Sequence, residues 1–122
     1  DNHEPDDLEF EMFPVHCVVG TEETLVIPEL REFAGNVIPK NRYSAFYGTG
    51  LEQTLALQKP DKVIICGVCT NICILHTTAD ARNRDYKVVI RESTIASFDE
   101  DAHDGALKHM ENILGAEVIR DL

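Results

Sequence analysis

Basic residues are scarce in this chain. Lysine and arginine number 11 against 22 aspartates and glutamates, for a formal charge of −11 at pH 7. Nucleic acid and anionic membranes both need a basic face, so both are excluded as partners. No apolar run is long enough to span a bilayer, and no signal-peptide pattern opens the sequence. Internal repeats, low-complexity tracts and interdomain linkers are also missing. What remains is 122 residues with 43% hydrophobic and 27% charged content. That composition predicts one soluble domain over residues 1–122, long enough to bury a core.

Four cysteines are present, Cys17, Cys66, Cys69 and Cys73. Three crowd into eight residues and nothing indicates secretion, so free thiols in a reducing cytoplasm are expected. The acidity is concentrated at the start, where Asp1, Glu4, Asp6, Asp7, Glu9 and Glu11 fall in eleven residues. A run of this kind reads as a solvated loop.

The first twenty residues show no period and are expected to form a long loop with local turns. Glu29–Ala34 allows a short helix stopped by Gly35, and Val37-Ile38 a brief strand before Lys40. Thr49-x-x-Glu52 has the form of a capping box opening a helix that ends before Pro60. Regular alternation then begins: a strand over 62–66, a helix over 73–84, a strand over 87–91, a helix over 99–114 capped by Ser97 and Glu100, and a last strand at Val118-Ile119. Strand–helix–strand order with short connections predicts an α/β fold, a mainly parallel sheet covered by helices on both faces.

The stretch Val63–Ala81 organises the rest. A β-branched run, a break at Gly67 and apolar residues at helical spacing (Ile72, Leu75, Ala79) read as a buried strand, a tight turn and a helix. Thr70 or Asn71 can cap that helix. Cys73 then lies in its first turn at the carboxyl end of a parallel strand, where open α/β sheets bind ligands. Helix-end amides lower a thiol's pKa and make its thiolate a nucleophile. Two other readings use the same cysteines. Cys66-Gly67-Val68-Cys69 could be a redox pair, although Cys66 continues the strand and is expected to be buried. Cys66, Cys69, Cys73 and His76 could bind zinc, although a strand and a helix do not converge readily on one ion.

Gly67-Val68-x-Thr70-x-x-Cys73 resembles the nucleophile turn of the isochorismatase-like cysteine hydrolases, the superfamily that includes nicotinamidases. Two further segments carry the same resemblance. Asp1-x-His3, followed by Phe13-Pro14-x-His16-Cys17-Val18-x-Gly20-Thr21, is similar to the nicotinamidase metal loop. Lys40-x-x-x-Ser44-Ala45-Phe46 is similar to the segment bearing the family's catalytic lysine. The resemblance implies a Rossmann-like three-layer α/β/α fold with Cys73 and Lys40 catalytic, and with backbone amides near Cys69 and Cys73 forming an oxyanion hole after a cis peptide. It implies Asp1, His3 and His16 as ligands of a divalent metal, zinc with iron or manganese as alternatives. Phe13 and Tyr43 would contact substrate, Phe13 standing where these proteins usually have tryptophan. Asn71 stands where nicotinamidases usually have aspartate. His103 matches the pattern as a structural residue.

The implied activity is hydrolysis of nicotinamide to nicotinate and ammonia in NAD salvage, through a cysteine thioester, in a cytoplasmic homo-oligomer. Another amidase or a vinyl-ether hydrolase of the superfamily is the alternative enzyme. The family's N-terminal β-α-β part, with a catalytic aspartate in an Asp-x-Gln-like motif, has no counterpart from Asp1 onward. That aspartate's absence motivates a third alternative, an inactive binding protein. Because the two missing strands are central to the family's sheet, residues 1–122 alone are expected to expose a split sheet and to aggregate.

Overall fold

Parallel pairing of short β-branched segments builds the framework. The computed structural model describes residues 1–120. Strands β1 (Val63–Ile64), β3 (Val88–Arg91) and β5 (Glu117–Ile119) form a three-stranded sheet in the order β1-β3-β5. Its register sets Val63 opposite Val88, Ile64 opposite Val89, and Ile90 opposite Val118. A second ladder pairs β2 (Gly67–Val68) with β4 (Ile95–Ala96), Gly67 opposite Ile95 and Val68 opposite Ala96. All pairs are parallel, as the alternation predicts, and the fold is of the α/β class.

Four α-helices accompany the strands among the described residues: α1 (Pro28–Arg31), α2 (Leu51–Gln58), α3 (Leu75–Asn83) and α4 (Glu100–Asn112). The amphipathic period of α4 is legible in its burial, with Ala106, Leu107 and Met110 inside and the charged positions between them outside. Helix α4 ends before Gly115, whose φ of +70° suits a residue without a β-carbon. The core joins α3, α4 and β3 through Ala81, Val88, Ile90, Leu107 and Met110, each at most 2% exposed. Burying one side chain the size of Ile90 or Met110 contributes about 1.5–3 kcal/mol.

Several local expectations are corrected. Val37-Ile38 forms no strand; Val37 is exposed, and the backbone there is tied at Lys40, whose carbonyl accepts the Asn2 amide at 2.7 Å. The Thr49-x-x-Glu52 capping box does not form, although the Thr49 hydroxyl accepts the Leu51 amide at 3.3 Å from one position before the cap. Gly50 occupies the cap position, the Thr49 hydroxyl donates to the Ala45 carbonyl, and Glu52 pairs with Arg84 at 3.0 Å instead of reaching back. Asp99, not Ser97, caps α4, accepting the Ala102 amide at 3.0 Å. Cys66 is exposed, because burial alternates along the extended run: Ile65 is buried and its amide bonds to the Val89 carbonyl at 3.1 Å, whereas Ile64 and Cys66 on either side of it are exposed. No described helix is long and apolar enough to cross a membrane.

Candidate active site

The turn after β2 presents the thiol. Cys69 is extended and follows a cis peptide from Val68. Its carbonyl accepts the amides of both Ile72 and Ile74, which winds Thr70–Ile74 into a π-helical turn continuing into α3. Cys73 is the fourth residue of that turn and is half-buried. Neither Thr70 nor Asn71 caps this helix. Both side chains are engaged elsewhere: Thr70 with His103 at 2.8 Å, Asn71 as acceptor of the Ser97 hydroxyl at 2.7 Å.

Lys40 reaches the thiol from a segment 33 positions away, its Nζ donating to Cys73 Sγ at 3.6 Å. The same ammonium donates to the Arg42 carbonyl at 2.8 Å and pairs with the Asp1 carboxylate. A cation held beside a thiol favours the thiolate by direct Coulomb attraction. Asp1 thus brings an acidic group to the lysine, which its place in the sequence does not reveal.

Beside this pair lies a cluster of metal-ligating type. One ligand atom each from Asp1, His3 and His16 lies within 4.8 Å of the other two. Each imidazole has its δ nitrogen committed. His3 Nδ1 donates to Asp7 Oδ2 at 3.0 Å, and His16 Nδ1 to the Pro14 carbonyl at 2.7 Å. Both ε nitrogens are therefore left with a lone pair toward the cluster, the tautomer metal binding requires. His3 is 1% exposed, and its Nε2 is a buried atom without a hydrogen-bond partner. An orphaned buried acceptor is costly unless something binds it. Asp1, His3 and His16 therefore fit a divalent ion, and one carboxylate with two imidazoles suits zinc, iron or manganese.

Sequence reasoning missed two members of this site. Glu9 Oε2 lies 3.3 Å from His3 Nε2 and 3.1 Å from His16 Nε2, a second carboxylate facing the same ligand atoms. Asp7 orients His3 from behind and is gripped by the Glu4 amide at 3.1 Å and Arg42 at 3.2 Å. Burial pushes the Asp7 carboxyl upward, but the bonds from His3, the Glu4 amide and Arg42 outweigh it and hold the group below its ordinary 3.8. The acidic run is therefore only partly a solvated loop: Glu4, Asp6 and Glu11 face water, whereas Asp7 and Glu9 turn inward. The bridge of His3 to Val18 and the 3₁₀ turn Leu8–Glu11 fold the loop back on itself.

Both centres open on one cavity of about 450 Å³. Its chemical end holds Asp1, Glu9, His16, Cys69 and Cys73, and its walls are Phe13, Pro14, Tyr43, Val68, Ile72 and Phe98. Phe13 and Phe98 meet edge to face, ring centroids 6.5 Å apart. Tyr43 leans over His76 at 5.4 Å. Burial first, then the negative charges of Glu9 and Cys73, raise the Tyr43 phenol above its ordinary 10.0, so it stays protonated. Phe98 was not expected in the site. Phe46 belongs to the core at 7% exposed, under the Arg84 guanidinium. The Cys66–Cys69–Cys73–His76 zinc site is not assembled, since the metal-type cluster among the described residues contains no cysteine; Cys66 is exposed, and it and Cys69 are free thiols.

Comparison with known proteins agrees with this geometry. Residues 1–120 match the isochorismatase domain family. The isochorismatase family protein PncA of Bacillus subtilis (strain 168) is 38% identical over 97% of this chain, which spans 70% of that protein. The pyrazinamidase/nicotinamidase of Streptococcus mutans UA159 superposes with a TM-score of 0.88 at 36% identity, covering 98% of this chain and 72% of the other. N-carbamoylsarcosine amidase of Thermoplasma acidophilum gives 0.86 at 36% identity, covering 98% and 68%. The likeness extends over nearly the whole chain, and the chain belongs to the isochorismatase family.

Proposed function

We propose that this protein is a cysteine hydrolase of amide bonds whose substrate is nicotinamide, released as nicotinate and ammonia in NAD salvage. The observation that carries the reading is the pairing of Lys40 Nζ with Cys73 Sγ at 3.6 Å, beside a cavity lined by Cys73, by Asp1 and His16 of the metal-type cluster, and by aromatic walls. Among its solved relatives are a pyrazinamidase/nicotinamidase and an N-carbamoylsarcosine amidase, which supports an amide as substrate. The flat heteroaromatic ring is the finer step. It is supported by Phe13, Tyr43 and Phe98, whose faces and edges suit a planar ring better than an aliphatic chain.

In this reading the Cys73 thiolate, held by the Lys40 ammonium, attacks the carboxamide carbon. The C–N bond breaks, ammonia leaves with a proton, and water hydrolyses the thioester to return the thiol. Backbone amides around Cys69 and Cys73 stabilise the oxyanion, a role worth about 2.7–4 kcal/mol per donor where one has been removed. The leaving nitrogen takes up a proton as it departs, a task for a general acid within reach; within the described residues, Asp1 is the carboxylate bonded to Lys40. A divalent ion on Asp1, His3 and His16, with Glu9 beside them, would supply a Lewis acid that orients the ring nitrogen. Asp7 and the Pro14 carbonyl fix the two imidazoles for that task. A homo-oligomeric, cytoplasmic enzyme with free thiols completes the proposal.

Ammonia release from nicotinamide, pyrazinamide and an aliphatic amide tests it directly. Nicotinamide should turn over fastest, and equal rates on the aliphatic amide would overturn the ring assignment. Metal analysis of the same protein should find about one ion per chain, lost in His16→Ala. Metal kept in that variant but lost in Cys69→Ser would move the site to the cysteines.

A further inference from the structure

One segment, residues 92–103, grips the Cys73 turn at three successive places. Gly67 and Val68 pair with Ile95 and Ala96. Asn71 accepts the Ser97 hydroxyl at 2.7 Å. Thr70 Oγ1 lies 2.8 Å from His103 Nδ1. The last contact differs from the others in its burial. Thr70 is 0% exposed and is the first residue of the π-helical turn, three positions before the thiol. His103 projects from the first turn of α4, with its Nε2 facing Glu92 Oε1 at 3.9 Å. The Thr70 hydroxyl and the His103 δ nitrogen share one hydrogen bond, which either can donate. His103 does not line the cavity and touches no group placed in the chemistry.

We propose that His103 is a positioning residue for the nucleophile, holding the Cys73 turn in register through the buried Thr70 hydroxyl. A valine would fill the Thr70 site equally well, so packing alone does not call for a hydroxyl. A directional bond does: it fixes the rotation of the turn, and with it the Cys73 sulfur relative to Lys40 Nζ and the neighbouring amides. Those distances set how the sulfur is presented to an electrophile, since a displacement of an ångström from the productive geometry is costly in rate.

The inference rests on Cys73 being the nucleophile and is independent of which amide is cleaved. Its test therefore reads thiol chemistry. The full chain is alkylated with iodoacetamide, and labelling at Cys73 is followed by mass spectrometry, with exposed Cys66 as the internal reference. Thr70→Val and His103→Leu should each slow Cys73 about fivefold at neutral pH relative to Cys66. Their double variant should lose no more than either alone, because both remove one contact. His103→Asn keeps a hydrogen-bonding group near the δ position and should retain most of the rate. If His103→Leu fails to fold, Thr70→Val and His103→Asn still decide. Unchanged Cys73 rates, multiplicative losses in the double variant, or parallel slowing at Cys66 would overturn the positioning role. Equal labelling of Cys73 and Cys66 in the unaltered protein would instead count against Cys73 as nucleophile.

Discussion

At the residue scale, the four cysteines divide by environment, not by sequence neighbourhood. Cys66 and Cys73 are seven positions apart, yet one faces solvent and the other a cavity beside an ammonium. Cys73→Ala should abolish ammonia release, whereas Cys66→Ala should leave turnover intact and shift stability by no more than about 0.5 kcal/mol, as exposed substitutions do. Comparable loss from Cys66→Ser and Cys69→Ser, with Cys73→Ala active, would restore the redox pair. Tyr43 gives a pH signature. Its phenol is raised in the folded state by burial and by the charges of Glu9 and Cys73. Above pH 10 the unfolded phenol ionises first, so the unfolded state holds fewer protons and stability falls as pH rises. Ultraviolet titration should show one of the three tyrosines ionising later than the others, and Tyr43→Phe should remove that late step. Tyrosines that all titrate together in the unaltered protein would contradict the burial argument.

At the element scale, caps decide where helices begin. The Asp99 carboxylate accepts the Ala102 amide, and Glu100 and Asp101 add negative charge to the first turn of α4. Asp99→Ala should cost about 1 kcal/mol, lowering Tm by roughly 4–6 °C for a chain of this size. Glu52→Ala, which removes only a half-exposed pair with Arg84, should cost about 0.5 kcal/mol or less. Equal shifts in the two melts would show that Asp99 does not cap. The same elements show what could be read from sequence. Helix α4 and strand β3 announce themselves by period and β-branching, and the cysteine turn by Gly67 and its place after a strand. Glu9 and Asp7 did not, because their convergence on His3 depends on a 3₁₀ turn and a single bridge in a loop without period. The β2–β4 ladder is two residues long and leaves no pattern to detect. The exposure of Cys66 is not legible in a continuous apolar run, because only one face of it meets the core: Ile65 is buried while Ile64 and Cys66 are exposed.

At the scale of the whole molecule, the sheet has an open side. Strand β1 pairs with β3 and, among the described residues, with nothing on its other edge. Ile64 on that strand is 74% exposed, and Val37 and Val68 are 63% and 65% exposed. The chain spans 70% of the length of its Bacillus subtilis relative, so residues 1–122 need not carry everything that covers this edge in a full-length protein. An uncovered edge bearing apolar β-branched side chains is a template for pairing with another chain. Residues 1–122 expressed alone should therefore self-associate, measurable as a concentration-dependent mass by light scattering. Ile64→Lys should suppress that association, because a lysine on an exposed strand edge opposes pairing by charge and desolvation. The cost to the fold should be small, since the Ile64 side chain contributes little to the core. A monomer at all concentrations with a cooperative melt, from residues 1–122 alone, would show that the edge of β1 is already protected.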